Sequence, residues 1–179
     1  AGHGHVAELA DSSQLDFIFL PHMIRAKARP FFTDSHFCPF VQSHPAIIKA
    51  TNLLGRYRDK LVAPVIEFPL GPGVMARSLH TALAPVLNVS LAAVKKALRA
   101  GLQAQEKFAQ ALKEEGRKKM QQLADSGQKG IVIFGRPYNV NDPGLNVNLP
   151  EKIAEMGLSA IPMDFIAEGK IEERWTNMY

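Results

Sequence analysis

Apolar positions along this chain change their period several times, and each change predicts a new element. Phe17-Ile18-Phe19-Leu20 is an unbroken apolar run that stops at Pro21 and predicts a buried strand. Ile47, Ile48, Leu53 and Leu54 follow Pro45 at helical spacing, with Gly55 close to the stop. Leu61-Val62-Ala63-Pro64-Val65-Ile66 predicts a second strand. Pro64 has no N–H for a ladder, so this strand lies at an edge or carries a bulge. Met75 to Leu87 predicts a helix whose last turn Pro85 shortens or kinks.

Ser90 then caps the strongest helical pattern in the chain, running to about Ala124. Leu91, Val94, Leu98, Leu102, Phe108, Leu112 and Leu123 recur on one side, and charged residues cover the others. At about 1.5 Å per residue such a helix spans roughly 50 Å. That is longer than a helix covering a short sheet needs. It either breaks near Gly116, which with Gly101 is a weak point, or projects from the body. Ile131-Val132-Ile133-Phe134 is the clearest strand, Leu149 to Met156 a helix stopped by Gly157, and Leu158 to Pro162 a fourth strand. Phe165 opens a last helical stretch.

Strands alternating with helices predict an α/β fold: one three-layer Rossmann-like domain over residues 1–179, with a short parallel sheet and one long helix at about 90–125. In such sheets the ligand crevice lies beyond the carboxyl ends of the strands. The residues there are Pro21-His22-Met23, Pro69-Leu70-Gly71-Pro72-Gly73, Gly135-Arg136-Pro137-Tyr138-Asn139 and Pro162-Met163-Asp164.

Composition narrows the class. An apolar share of 46 % supports a core, and no apolar run approaches membrane-spanning length. No secretory signal is visible, and the opening Ala-Gly-His-Gly-His suggests a segment boundary or a processed end. The single cysteine, Cys38, excludes an internal disulfide and fits a reducing, cytoplasmic setting. A net charge of +4, spread along the chain, argues against a nucleic-acid partner.

Three constellations could carry chemistry. In the first, Arg136 could grip a phosphate or carboxylate, and Tyr138 and Asn139 would line the crevice with it. Asn146 sits where it could cap the next helix, whose N-terminus favours anions. The alternative is a tight turn whose arginine pairs with a neighbouring carboxylate. The second is the segment Pro21–Pro45, holding His22, His36, Cys38 and His44. Cys and His can ligate metal, but the spacing matches no zinc module, and a buried structural cysteine serves as well. His3 and His5, two apart, diverge on any regular element and read as solvated. The third, Pro69–Gly73, has neither a Walker lysine nor the third glycine of a dinucleotide fingerprint, and reads as a stiff turn. Glu67, Asp164 and Glu168 are candidate general bases, with nothing to show which share a cleft.

Asp16-Phe17-Ile18-Phe19-Leu20-Pro21, Phe37-Cys38-Pro39-Phe40-Val41-Gln42 and Gly135-Arg136-Pro137-Tyr138-Asn139 occur in order after Gly2-His3-Gly4-His5-Val6. Together they resemble the 2-hydroxyacyl-CoA dehydratase activase-related family over nearly the whole chain. The resemblance implies a domain of unknown function that follows activator ATPase domains in a longer cytoplasmic protein. It is similar to the iron–sulfur subunits of the dehydratases. Expected partners are the rest of the parent chain, with its ATPase domains, and an acyl-CoA dehydratase. In relatives cysteines lie before the Gly-His-Gly-His stretch, beyond the end of this chain and, in many, after the strand-terminal proline. Here that last position is His22. Cys38 matches the family's Cys-Pro cysteine and is the residue carried over as a cluster ligand, with His22 a substitute.

A [4Fe–4S] cluster takes three or four thiolates, so the resemblance implies a cluster only in the full-length protein and none in this stretch alone. The leading expectation is a non-catalytic domain that contributes to an iron–sulfur electron-transfer site. The rivals are a module binding acyl-CoA or another phosphate ligand, and a structural docking domain built around the long helix.

Overall fold

The computed structural model describes residues 2–12, 15–27, 35–52 and 54–166. Glu168, Leu53 and most of the last helical stretch lie outside the described residues. The chain divides into two compact units, Ala1–Gly101 and Leu102–Tyr179, and each contains short parallel strand pairs with helices between them.

In the first unit, β1 (Ile18–Phe19) pairs in parallel with β3 (Leu61–Val62), and β2 (His22–Arg25) with β4 (Val65–Glu67). The Leu20 N–H donates to the Val62 carbonyl at 2.9 Å and the His22 N–H to the Pro64 carbonyl at 2.8 Å. The two ribbons are therefore one ladder, interrupted where Pro21 and Pro64 have no N–H to give. The strand continues past Pro21, so His22 and Met23 lie within it and not in the loop after it. A proline at a ladder's non-donating position does not end a strand. Beyond β2 the chain returns antiparallel, with His36 opposite Arg25 and the Phe37 N–H donating to the Ile24 carbonyl at 2.9 Å.

β1 is not buried on both faces. Ile18 is 4 % exposed and Phe19 46 %, the alternation of a one-sided strand. Ile18 joins Val6, Ile48, Leu54 and Tyr57 in the core of this unit, each such buried side chain contributing about 1.5–3 kcal/mol. Val6 reaches the cluster from α1 (Gly2–Asp11), a helix absent from the expected elements because its first turn is glycine and histidine, poor helix formers.

α2 (Pro39–Ala50) begins six residues before the proline expected to precede it. Pro39 occupies the first turn, where its missing N–H costs nothing. Pro45 sits inside the helix and removes one bond, that to the Val41 carbonyl, and its ring is almost wholly buried. Packing of the ring offsets the lost bond. At the far end, Arg58 donates to the carbonyls of Lys49 at 2.9 Å and Thr51 at 2.7 Å, satisfying the helix's final acceptors. α3 (Gly71–Leu87) follows a 3₁₀ turn at Phe68–Leu70 and ends at Asn88 in the left-handed region.

α4 (Leu91–Ser126) is one helix of 36 residues. The Ser90 hydroxyl accepts from the Ala93 N–H at 3.2 Å, the expected cap. Val94 and Leu123 of the apolar stripe are buried, whereas Phe108 is 58 % exposed. The helix does not break at Gly116: that residue is buried against the backbone of Phe165.

In the second unit β5 (Gly130–Ile133) and β6 (Ser159–Pro162) pair in parallel over four residues. The connection holds α5 (Pro137–Asn141), α6 (Pro143–Asn146) and α7 (Leu149–Glu155). Among the described residues of this unit, Ile161, Ile153, Val140 and Leu123 are the buried hydrophobic side chains. Gly130 lets the strand approach α4, since a Cβ there would stand 2.6 Å from Ile161 Cδ1 and 3.0 Å from Leu123 Cδ1. Mixed helices with short parallel strands agree with an α/β class. Among the described residues no single helix is long and apolar enough to cross a membrane.

Candidate functional site

The segment Pro21–Pro45 is not the single loop the sequence suggested. It places His22 on β2, His36 on the returning strand, Cys38 at the N-cap of α2 and His44 within α2. The helix starts at Cys38, whose carbonyl accepts from the N–H groups of Val41 at 2.8 Å and Gln42 at 3.1 Å. His22 reaches the same turn: its Nδ1 donates to the Gln42 carbonyl at 2.8 Å. A carbonyl can only accept, so the neutral ring carries its lone pair on Nε2. The Gln42 side chain donates to the Phe37 carbonyl at 2.6 Å and ties the approach to Cys38 down. Cys38 and His22 are both half-buried, Cys38 at the N-cap of α2 and His22 bonded to the carbonyl of Gln42, four residues further along the helix.

Chemically this is a thiol and an imidazole presented from rigid elements. Among the described residues no third histidine, cysteine or carboxylate joins them in a group able to hold a metal ion. One thiolate falls short of the three or four that a [4Fe–4S] cluster requires. The described residues therefore do not by themselves fit such a cluster.

Arg136, Tyr138 and Asn139 lie beyond the carboxyl end of β5, where the crevice was expected, and all three are exposed. Arg136 precedes α5, its carbonyl accepting from the Asn139 and Val140 N–H groups. Asn146 differs from these three. Its Nδ2 donates to the Val140 carbonyl at 2.6 Å and its Oδ1 accepts from the Leu149 N–H at 3.3 Å. It thus reaches the start of α7, as a cap would, while bracing α5 with its other end. The Gly135 N–H points to Met163 Sδ at 3.5 Å, joining the ends of β5 and β6.

Of the candidate bases, Glu67 pairs with Arg25 across the β2–β4 ribbon, and Asp164 is half-buried in the turn after β6. They belong to different units. Of Pro69–Gly73, expected as a stiff turn, Pro69 and Leu70 lie in the 3₁₀ turn and Gly71–Gly73 open α3 itself, with Gly71 at φ +80°.

One pairing escaped the sequence. His3 on α1 faces His44 on α2, with ring centroids 5.4 Å apart and planes inclined at 56°. Burial holds the His44 pKa below its ordinary value, and the neighbouring His3 lowers it further. Forty-one positions separate the two in the chain, and no local pattern connects them.

Residues 1–166 match the family model described as the CoA enzyme activase uncharacterised domain. Comparison with curated proteins finds no match, and comparison with solved structures finds none either.

Proposed function

Because this chain belongs to the family of the CoA enzyme activase uncharacterised domain, we propose that it serves an activase-type protein as a non-catalytic half-site for iron–sulfur electron transfer. Cys38 would supply one thiolate, His22 would flank it through Nε2, and the other ligands would come from outside this chain. The observation that supports this reading is the His22 Nδ1 bond to the carbonyl of Gln42, four residues after the Cys38 N-cap of α2. Histidines held this way through one ring nitrogen are oriented to ligate through the other. The test is anaerobic iron–sulfur reconstitution of the full-length protein, wild type and Cys38→Ser, read by iron content and visible absorption. Loss of iron in Cys38→Ser is expected. Equal iron in both proteins, or none in either, overturns the reading.

A second reading is favoured by one observation. The Arg136 guanidinium has no hydrogen bond or ion pair to the described residues. An exposed guanidinium beyond a strand end is suited to the phosphates of an acyl-CoA or a related ligand. Calorimetry with CoA esters should then show binding that Arg136→Ala removes. No heat from the wild type would exclude it.

A further inference from the structure

We propose that His3 and His44 together form a binding site for a borderline divalent transition-metal ion such as Zn²⁺. It is separate from the Cys38–His22 pair and does not rest on the reading of that pair.

The geometry suits two ligands on one ion. With metal–nitrogen bonds of about 2.0–2.1 Å and a tetrahedral angle, the centroids of two coordinated imidazoles lie roughly 5 Å apart. The observed separation is 5.4 Å, and the 56° tilt excludes a face-to-face stack that would hide the nitrogens. Neither ring makes a hydrogen bond to the described residues, so a lone pair on each is uncommitted when the rings are neutral. The Cε1–Nε2 edge of His44 lies against the start of α1. A Cβ on Gly2 would stand 2.5 Å from Cε1 and 2.8 Å from Nε2. Glycine at position 2 therefore lets this edge approach the residue next to His3. Metal ligation uses the neutral imidazole.

Imidazole pairs select zinc, copper, nickel and similar ions over magnesium or calcium. No third His, Cys, Asp or Glu completes the group among the described residues, so water or a small anion fills the remaining positions. His5 lies two residues from His3, about 200° around the helix, and is not a ligand. His44 lies six residues after Cys38, about 240° around α2, so the two do not share a face.

The test uses this chain carrying Cys38→Ser, stripped with a chelator and titrated with ZnCl₂ at pH 7.5 by calorimetry. One ion per chain is expected, with affinity falling at least about tenfold, or 1.4 kcal/mol, in His3→Ala and in His44→Ala but not in His5→Ala. His3 is exposed, so His3→Ala keeps the fold even where His44→Ala disturbs packing. Absence of binding in the Cys38→Ser protein, or unchanged binding in His3→Ala, overturns the proposal.

Discussion

The backbone of Phe165 occupies the place where residue 116 would carry a Cβ. That atom would stand 2.6 Å from the Phe165 carbonyl carbon and 2.7 Å from its Cα, and closer still to the carbonyl oxygen. Gly116 is therefore a contact position on α4, where the chain beyond β6 crosses the helix. The sequence offered it only as a weak point.

Two glycines of the same helix should respond to alanine with opposite signs. Gly101 has open space around the Cβ position, so Gly101→Ala should stabilise by about 0.5–1 kcal/mol through helix propensity. At Gly116 the same gain is opposed by a backbone clash, and overpacking costs about 1–3 kcal/mol. Gly116→Ala should lower the thermal midpoint while Gly101→Ala raises it. Equal shifts in a calorimetric scan would show that Phe165 does not press on α4.

Tyr57 is 2 % exposed, and its hydroxyl donates to the Ser12 carbonyl at 2.6 Å. Tyr57→Phe keeps the ring and removes this bond, so it should cost about 1 kcal/mol. Tyr57→Ala also empties the core and should cost about 3–5 kcal/mol. Urea unfolding of the two variants checks the ratio.

Arg25 and Glu67 pair across the ribbon with side chains 35 % and 21 % exposed. Partial solvent screening keeps such a pair modest, so Glu67→Ala should cost about 1 kcal/mol. A double-mutant cycle with Arg25→Ala should return a coupling of about 0.5–1 kcal/mol that shrinks in high salt. A coupling of zero would mean that both residues act only through strand packing.

His44 should make stability depend on pH. Its pKa is lowered in the folded chain from 6.5, so the unfolded state binds the proton more readily. Stability is complete above about 6.5, the unfolded value, and declines as pH falls toward the lowered folded value. In the presence of a chelator, His44→Gln should flatten this slope between pH 7 and pH 5. An unchanged slope would assign the dependence to other groups.

How far the sequence reached is clearest element by element. The Ser90 cap, β5, β6 and α7 all carry local signals: a capping hydroxyl, a β-branched run, a glycine stop at Gly157 with φ +74°. α1 carries none, since His3 and Gly4 are weak by propensity, and α2 carries only Pro39 in its first turn; burial of Val6, Pro45 and Ile48 supports both helices. Asn146 ends α6, two residues before the N-cap of α7 at Asn148, and its Oδ1 accepts from the Leu149 N–H. Its second bond, to Val140 on α5, could not be read because it depends on how the chain folds back.

Motif order and residue chemistry, which are local properties of the chain, were enough to set the family, the alternation of strands with helices, and Cys38 as the one thiol. Tertiary structure decided that His22 lies in a strand beside the start of α2, that Gly116 receives the Phe165 backbone, and that His3 meets His44. Each of those contacts joins residues far apart in the chain. Such pairings are selected by packing and by the demand that backbone groups find partners, and neither acts within the short window that a sequence pattern can report.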